Sequence, residues 1–139
     1  MQIDPTKKQL SYFNASIAMS EQSDYPKHKL GCVAVEKHRI ISSGCNSMSK
    51  CALIQKQIDT KRFGGEHRGC VHAETDTLLP LIKANRDLSN CDLFVARKHK
   101  NGALAMARPC AGCMSLLNAC GIKRVFYTTE NGYAMERID

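Results

Sequence analysis

The chain has 139 residues, 43% of them hydrophobic and 24% charged, with a net charge of +7 at pH 7. These values describe a single domain spanning residues 1–139 with room for a core, and its charge favours an anionic substrate or partner without identifying one. No apolar run reaches membrane-spanning length, which excludes a helical membrane anchor within this sequence. Eight cysteines are present. Met1 to Lys8 carries no apolar stretch, so the thiols are expected to be reduced and mostly buried, in a cytoplasmic protein.

Asp4-Pro5 predicts a helix start, with a capping side chain and proline at the first helical position. Leu10, Phe13 and Ile17 then recur at helical spacing as a core face, and Tyr25-Pro26 ends the segment by Asp24. Leu30 to Val35 and Arg39 to Gly44 read as a hairpin turning at Glu36-Lys37-His38. Residues 47–69 are irregular, with a short helix around Leu53, Ile54 and Ile58, broken at Gly64-Gly65.

From His72 a helix is expected to about Asn85, kinked or cut short by Pro80. Its apolar face is Ala73, Thr77, Leu78, Leu81 and Ile82. Cys91 to Ala96 is a buried strand, and Asn101-Gly102 a hairpin turn leading back through Ala103–Arg108. A further helix carries Met114, Leu116, Leu117 and Ala119 and is capped by Gly121. Ile122 to Thr128 is the last predicted strand, and residues after Asn131 read as a loose tail. This order of elements gives an α/β class with a mixed sheet, an antiparallel hairpin and parallel last strands.

Two stretches carry chemistry: Cys70-Val71-His72-Ala73-Glu74 and Pro109-Cys110-Ala111-Gly112-Cys113. Cys110 and Cys113 lie on one face of a helix, can hold one ion, and gain thiolate character at a helix N-terminus with Pro109 in the first turn. One imidazole and two thiolates make a neutral three-ligand set for Zn²⁺, which leaves the fourth position for water. Glu74 need not share the direction of His72, so it can move protons beside the metal instead of binding it.

With His72-Ala73-Glu74, Pro109-Cys110-Ala111-Gly112-Cys113, Gly31 and Gly44-Cys45-Asn46, the sequence resembles the cytidine/deoxycytidylate deaminase superfamily over residues 5–130. The resemblance implies a three-layer α-β-α cytidine-deaminase-like fold, zinc held by His72, Cys110 and Cys113, and Glu74 as general acid/base. It also implies that Asn46 contacts the substrate sugar and that the backbone N–H of Ala73 meets the base carbonyl. The stretch from Arg97 to Arg108, between the strand and Pro109, is similar to viral and phage members. The chain stops soon after the fourth predicted strand, so later elements of the family are expected to be short or missing. Some deoxycytidylate deaminases carry a second zinc; here Cys45, Cys51, His67 and Cys70 are the residues that offer one, and incidental thiols are the favoured alternative.

The function expected is hydrolytic deamination of a cytosine-type nucleoside or nucleotide by a homo-oligomer. Two alternatives stand beside it. One is a deaminase of RNA or single-stranded DNA, favoured by charge but opposed by the absence of Trp and an aromatic content of 6%. The other is a non-catalytic zinc-stabilised binding module, which leaves Glu74 without a use. Helix and strand rises place Arg97-Lys98-His99-Lys100 at or beyond the zinc level. Lys98 and Lys100 are therefore expected at the pocket mouth, against a substrate phosphate.

Overall fold

The computed structural model describes residues 1–48 and 71–138. Among them, strands β1 (Gln2–Ile3), β2 (Leu30–Glu36), β3 (Arg39–Cys45), β4 (Cys91–Arg97), β5 (Arg124–Thr129) and β6 (Gly132–Arg137) form one sheet. Helices α1 (Lys7–Ser20), α2 (Ala73–Lys83) and α3 (Ala111–Ala119) flank it. The strand order is β1-β6-β5-β4-β2-β3, with β4 and β5 parallel and the remaining pairs antiparallel. The short helix expected around Leu53 to Ile58 lies outside the described residues.

The layers follow from strand alternation. On β4, Leu93 and Val95 face α2 and α3, packing with Leu78, Leu81, Leu116 and Leu117. Phe94 faces the other way, onto Tyr12 and Phe13 of α1. Its ring stacks on Phe126 at 4.4 Å between centroids, and Phe13 meets it edge-on at 5.1 Å. The three-layer α-β-α arrangement is as expected. Helices of 9 to 14 residues are marginal in isolation, and packing against the sheet stabilises these three.

Helix α1 begins later than Asp4-Pro5 predicts. Thr6 caps it: Gln9 N donates to Thr6 Oγ1 at 3.1 Å, and Thr6 N donates to Gln9 Oε1 at 2.9 Å. Asp4 has lysine three residues on and cannot close this reciprocal box, and Gln2–Ile3 is drawn into the sheet beside β6. The buried face is Tyr12, Phe13, Ser16 and Ser20, while Leu10 is 36% exposed and Ile17 half-buried. Ser16 and Ser20 let the backbones approach: Ser16 Oγ donates to the carbonyls of Tyr12 and Phe94, each at 3.0 Å.

The hairpin forms as expected, with Lys37 and His38 at positive φ in its two-residue turn. Helix α2 starts after His72 and stops at Lys83, one turn beyond Pro80, with Asn85 at a φ of 53° past its end. Asn101-Gly102 makes its turn, with Gly102 at a φ of 91°, but only Lys98 and Leu104 pair across it. The return segment goes instead to β5, where Ala107 N donates to the Thr128 carbonyl at 2.9 Å.

The expected loose tail is a strand. β6 pairs along the whole of β5 and then with β1, so the fourth predicted strand is not the last. Its alternation is real but short: Tyr133 and Met135 pack towards α1, Ala134 and Ile138 towards α3. Glu136, on β6, accepts from Arg108 Nε at 2.5 Å, Arg108 Nη2 at 3.0 Å and Tyr127 Oη at 2.6 Å. The tail therefore anchors the residue just before Pro109-Cys110.

The Arg108 and Tyr127 hydrogen bonds hold the Glu136 carboxyl at about 2. A depressed carboxylate contributes stability above its unfolded value, lost as pH falls through the folded one. Because the pair is largely exposed, the contribution is about 1 kcal/mol at most. Glu136→Gln is expected to lower stability by that amount at pH 7, with the difference shrinking below pH 4.5 and vanishing near pH 2. Urea unfolding of both proteins across this range measures it; a gap independent of pH would show that the carboxylate charge is irrelevant.

Candidate metal and catalytic site

The two chemical stretches meet at the N-termini of α2 and α3. His72 is the N-cap of α2 and Cys110 the N-cap of α3, so Pro109 precedes the helix instead of occupying its first turn. The extended backbone of both caps aims their side chains at each other. His72 Nδ1 lies 3.2 Å from Cys113 Sγ and 3.7 Å from Cys110 Sγ, and the three ligand atoms all fall within 4.8 Å of one another.

A tetrahedral zinc with ordinary Zn–S and Zn–N bonds needs N···S separations of about 3.5 Å. The two N···S separations bracket that value, so the three atoms are grouped as such an ion requires. Two converging helix N-termini add partial positive charge, which favours thiolates. The hydrogen bond from Cys113 holds the Cys110 thiol down at about 3. The same bond, with burial, pushes Cys113 up. Zinc would need both thiols deprotonated and would release protons on binding.

Glu74, in the first turn of α2, is 4% exposed. Burial pushes its carboxyl up, and the neighbouring His72 ring opposes this. The His72 side chain does not cap α2, which leaves the buried first turn at Ala73 open to another acceptor.

Asn46 follows β3 and is joined to the site through Ser47, whose backbone pairs with Val71 beside His72 at 2.8 Å in both directions. Its side chain is heavily used. Oδ1 accepts from Ser23 Oγ at 2.7 Å and Leu30 N at 2.9 Å, and Nδ2 donates to the His28 carbonyl at 2.6 Å. One amide N–H is left over. Asp76 fastens the same corner, accepting from Cys45 N at 3.1 Å. Gly44 is needed there, because a Cβ would stand 2.7 Å from Asp76 Oδ2 and 2.8 Å from Thr77 N.

The structure brings together His72, Ala73, Glu74, Cys110 and Cys113, with Asn46 alongside. It does not bring Lys98 and Lys100 to them in the way expected. Lys98 Nζ pairs with Glu21 Oε1 at 3.6 Å, at the end of α1, and Lys100 is exposed in the turn. Arg97 is the basic residue with the parity of Leu93 and Val95, hence on the metal face. Alternation along Cys91–Arg97 carried that signal. Of the four residues offered for a second zinc, Cys45 is buried at the end of β3, and Cys51, His67 and Cys70 lie outside the described residues.

A metal set of one imidazole and two thiolates at helix N-termini, with a buried glutamate beside it, defines a zinc-dependent hydrolytic centre on an α/β sandwich. The family model for the cytidine and deoxycytidylate deaminase zinc-binding region matches residues 6–129. The chain belongs to this family, and zinc is its metal.

A deoxycytidylate deaminase of Mycobacterium phage D29 is 26% identical over 131 residues, covering 86% of this chain and 93% of that protein. A probable cytosine deaminase of Schizosaccharomyces pombe is 26% identical over 128 residues, covering 91% of this chain but only 63% of that protein. In fold, the chain matches the deoxycytidylate deaminase of cyanophage S-TIM5 with a TM-score of 0.63 at 21% identity, over 91% of this chain and 86% of that one. Among the described residues, no helix is long and apolar enough to cross a membrane.

Proposed function

We propose that this protein hydrolytically deaminates a cytosine-type base on a nucleoside or nucleotide, releasing ammonia. The observation that carries this is Glu74: a carboxyl 4% exposed, beside a three-ligand metal set, for which a closed structural site has no use. The likeness to the phage deoxycytidylate deaminase, over nearly the whole of both chains, points to a nucleotide.

His72 through Nδ1 and the two thiolates hold the zinc, which when bound supplies an activated water for attack on the amino-bearing carbon. Glu74 manages the protons. It can take a proton from the attacking water, give it to the ring nitrogen, and then carry the second to the departing amine; burial raises its carboxyl and so favours the protonated form this needs. The carbon–nitrogen bond breaks, a carbonyl forms, and one water is consumed for each ammonia released. The Ala73 N–H receives the base carbonyl, and the free N–H of Asn46 meets the sugar. The other bonds of Asn46 fix that contact in place.

Cys32, Cys91 and Cys120 are thiols outside the metal set and carry no disulfide, which supports a reducing, cytoplasmic setting. The exposed edge of β3, with Ile40 45% exposed, supports self-association into a homo-oligomer. A single monomeric species in sedimentation at micromolar concentration would remove that part.

Ammonia release from cytosine, cytidine, deoxycytidine and their monophosphates, with adenine and guanine counterparts, tests the function. Turnover confined to cytosine-type compounds is expected. Turnover only on purines or only on oligonucleotides would overturn it, and zinc-loaded protein inert on every substrate would favour the binding-module alternative.

A further inference from the structure

Arg86, Arg108 and Arg124 are each neutralised, by Glu36, Glu136 and Asp92. Arg97, half-buried at the end of β4, has no carboxylate in ion-pair contact among the described residues. Its guanidinium donates through Nη2 to His28 Nδ1 at 2.8 Å and through Nη1 to the Met106 carbonyl at 3.4 Å. Its Nε is buried with no partner at all. The two Nη groups lie at the surface, where an anion can replace water, while Nε is the donor left unsatisfied beneath them. Glu130, close enough for Arg97 to help lower its carboxyl, is itself bonded to His99.

Its position says which anion. Arg97 pairs across the sheet with Leu30, whose backbone holds Asn46 through Asn46 N to Leu30 O at 3.2 Å and Leu30 N to Asn46 Oδ1 at 2.9 Å. Met106, on the other side, lies four residues before Cys110. The guanidinium therefore bridges His28, whose carbonyl Asn46 holds, and the segment that leads into Cys110, on the metal face of the sheet and at the carboxyl end of β4. Open α/β sheets bind ligands at that end of parallel strands. An arginine only donates, so His28 Nδ1 accepts, and the proton of its neutral ring is on Nε2, a second donor beside the first. Lys98 is turned to Glu21, in a surface pair at 3.6 Å.

We propose that Arg97, with His28 beside it, binds the substrate phosphate and makes a 5′-nucleoside monophosphate the preferred substrate. This rests on the deaminase reading above. Asn46 links the two sites, since its amide holds the His28 carbonyl and keeps one N–H for the sugar contact proposed above.

The test compares kcat/KM for deoxycytidylate and deoxycytidine in wild type, Arg97→Met, Arg97→Lys and the Lys98→Met/Lys100→Met pair. Calorimetric binding of deoxyuridylate and deoxyuridine gives a readout free of catalysis. Arg97→Met is expected to lower kcat/KM for the monophosphate by roughly 50-fold and to weaken deoxyuridylate binding equally. The nucleoside should change by less than about threefold, and Arg97→Lys should retain part of the preference. The lysine pair, screened at the surface, should move neither substrate by more than about threefold.

Equal losses on nucleoside and monophosphate would overturn the assignment, as would a larger effect from the lysine pair. A wild-type preference for the nucleoside would overturn it while leaving the deaminase reading intact. Absence of ammonia from both would remove the deaminase reading, and deoxyuridylate binding would still decide Arg97. Should Arg97→Met fail to fold, Arg97→Lys carries the same comparison.

Discussion

Glu74→Gln is expected to cut turnover by about 10²–10⁴-fold, or more, while zinc binding stays at the wild-type level. The substitution preserves volume at a position 4% exposed, so the first turn of α2 keeps its packing. It removes the ability to take up and return a proton, which is the whole of the role assigned here. Burial already opposes the ionised carboxylate, so losing that charge should leave stability unchanged or raise it. The fall should appear in kcat, with KM nearly constant, because the carboxyl acts on the transition state more than on bound substrate. Steady-state kinetics beside elemental zinc analysis measures both. Undiminished turnover would take the proton role from Glu74. Loss of zinc together with activity would show that the carboxyl supports the metal instead.

Gly31→Ala is expected to be the most damaging small substitution in the fold. A Cβ there would overlap the Ser16 carbonyl oxygen and stand 2.5 Å from Ser20 N. Both are backbone atoms of α1, so no rotamer change relieves the clash. The helix would have to lift from the sheet, opening the fully buried Phe13 and the Ser16 bond to Phe94. Overpacking of this kind costs about 3 kcal/mol. For a domain of this size that lowers Tm by on the order of 10 °C. Leu30, next in the chain, holds Asn46, so activity should fall further than stability alone predicts. Thermal unfolding and activity below the transition check both parts; an unchanged Tm would mean that α1 is not held as closely as the geometry requires.

The capping of α1 shows where reading by residue type loses resolution. Asp4-Pro5 and Thr6-x-x-Gln9 are both acceptable helix starts in isolation. The choice fell to Thr6 because residues two and three are needed as β1, beside a strand more than 120 residues away. The same pairing explains β6. Its six residues alternate only weakly and end in Glu136-Arg137, and they gain their strand character from β5 on one side and β1 on the other. The hairpin, by contrast, was fully legible, since its turn and both strands lie within 16 consecutive residues.

The sequence by itself determined the chemistry of the centre. Ligand identity is intrinsic to His72, Cys110 and Cys113, and the placement of Cys110 and Cys113 on one helix is local geometry, independent of what packs around it. The neighbouring Glu74 and the parallel pair β4–β5 were legible for the same reason, through short spacing and a right-handed crossover. Only the tertiary structure decided where each cation of the basic run points. Arg97, Lys98 and Lys100 are equivalent as a basic run, but one residue of strand parity sends Arg97 to the metal face and Lys98 to Glu21. The partner of Arg97 is His28, 69 residues earlier, and that of Arg108 is Glu136, 28 residues later. Contacts of that span depend on how the strands are ordered in the sheet, and no local pattern of residue types records strand order.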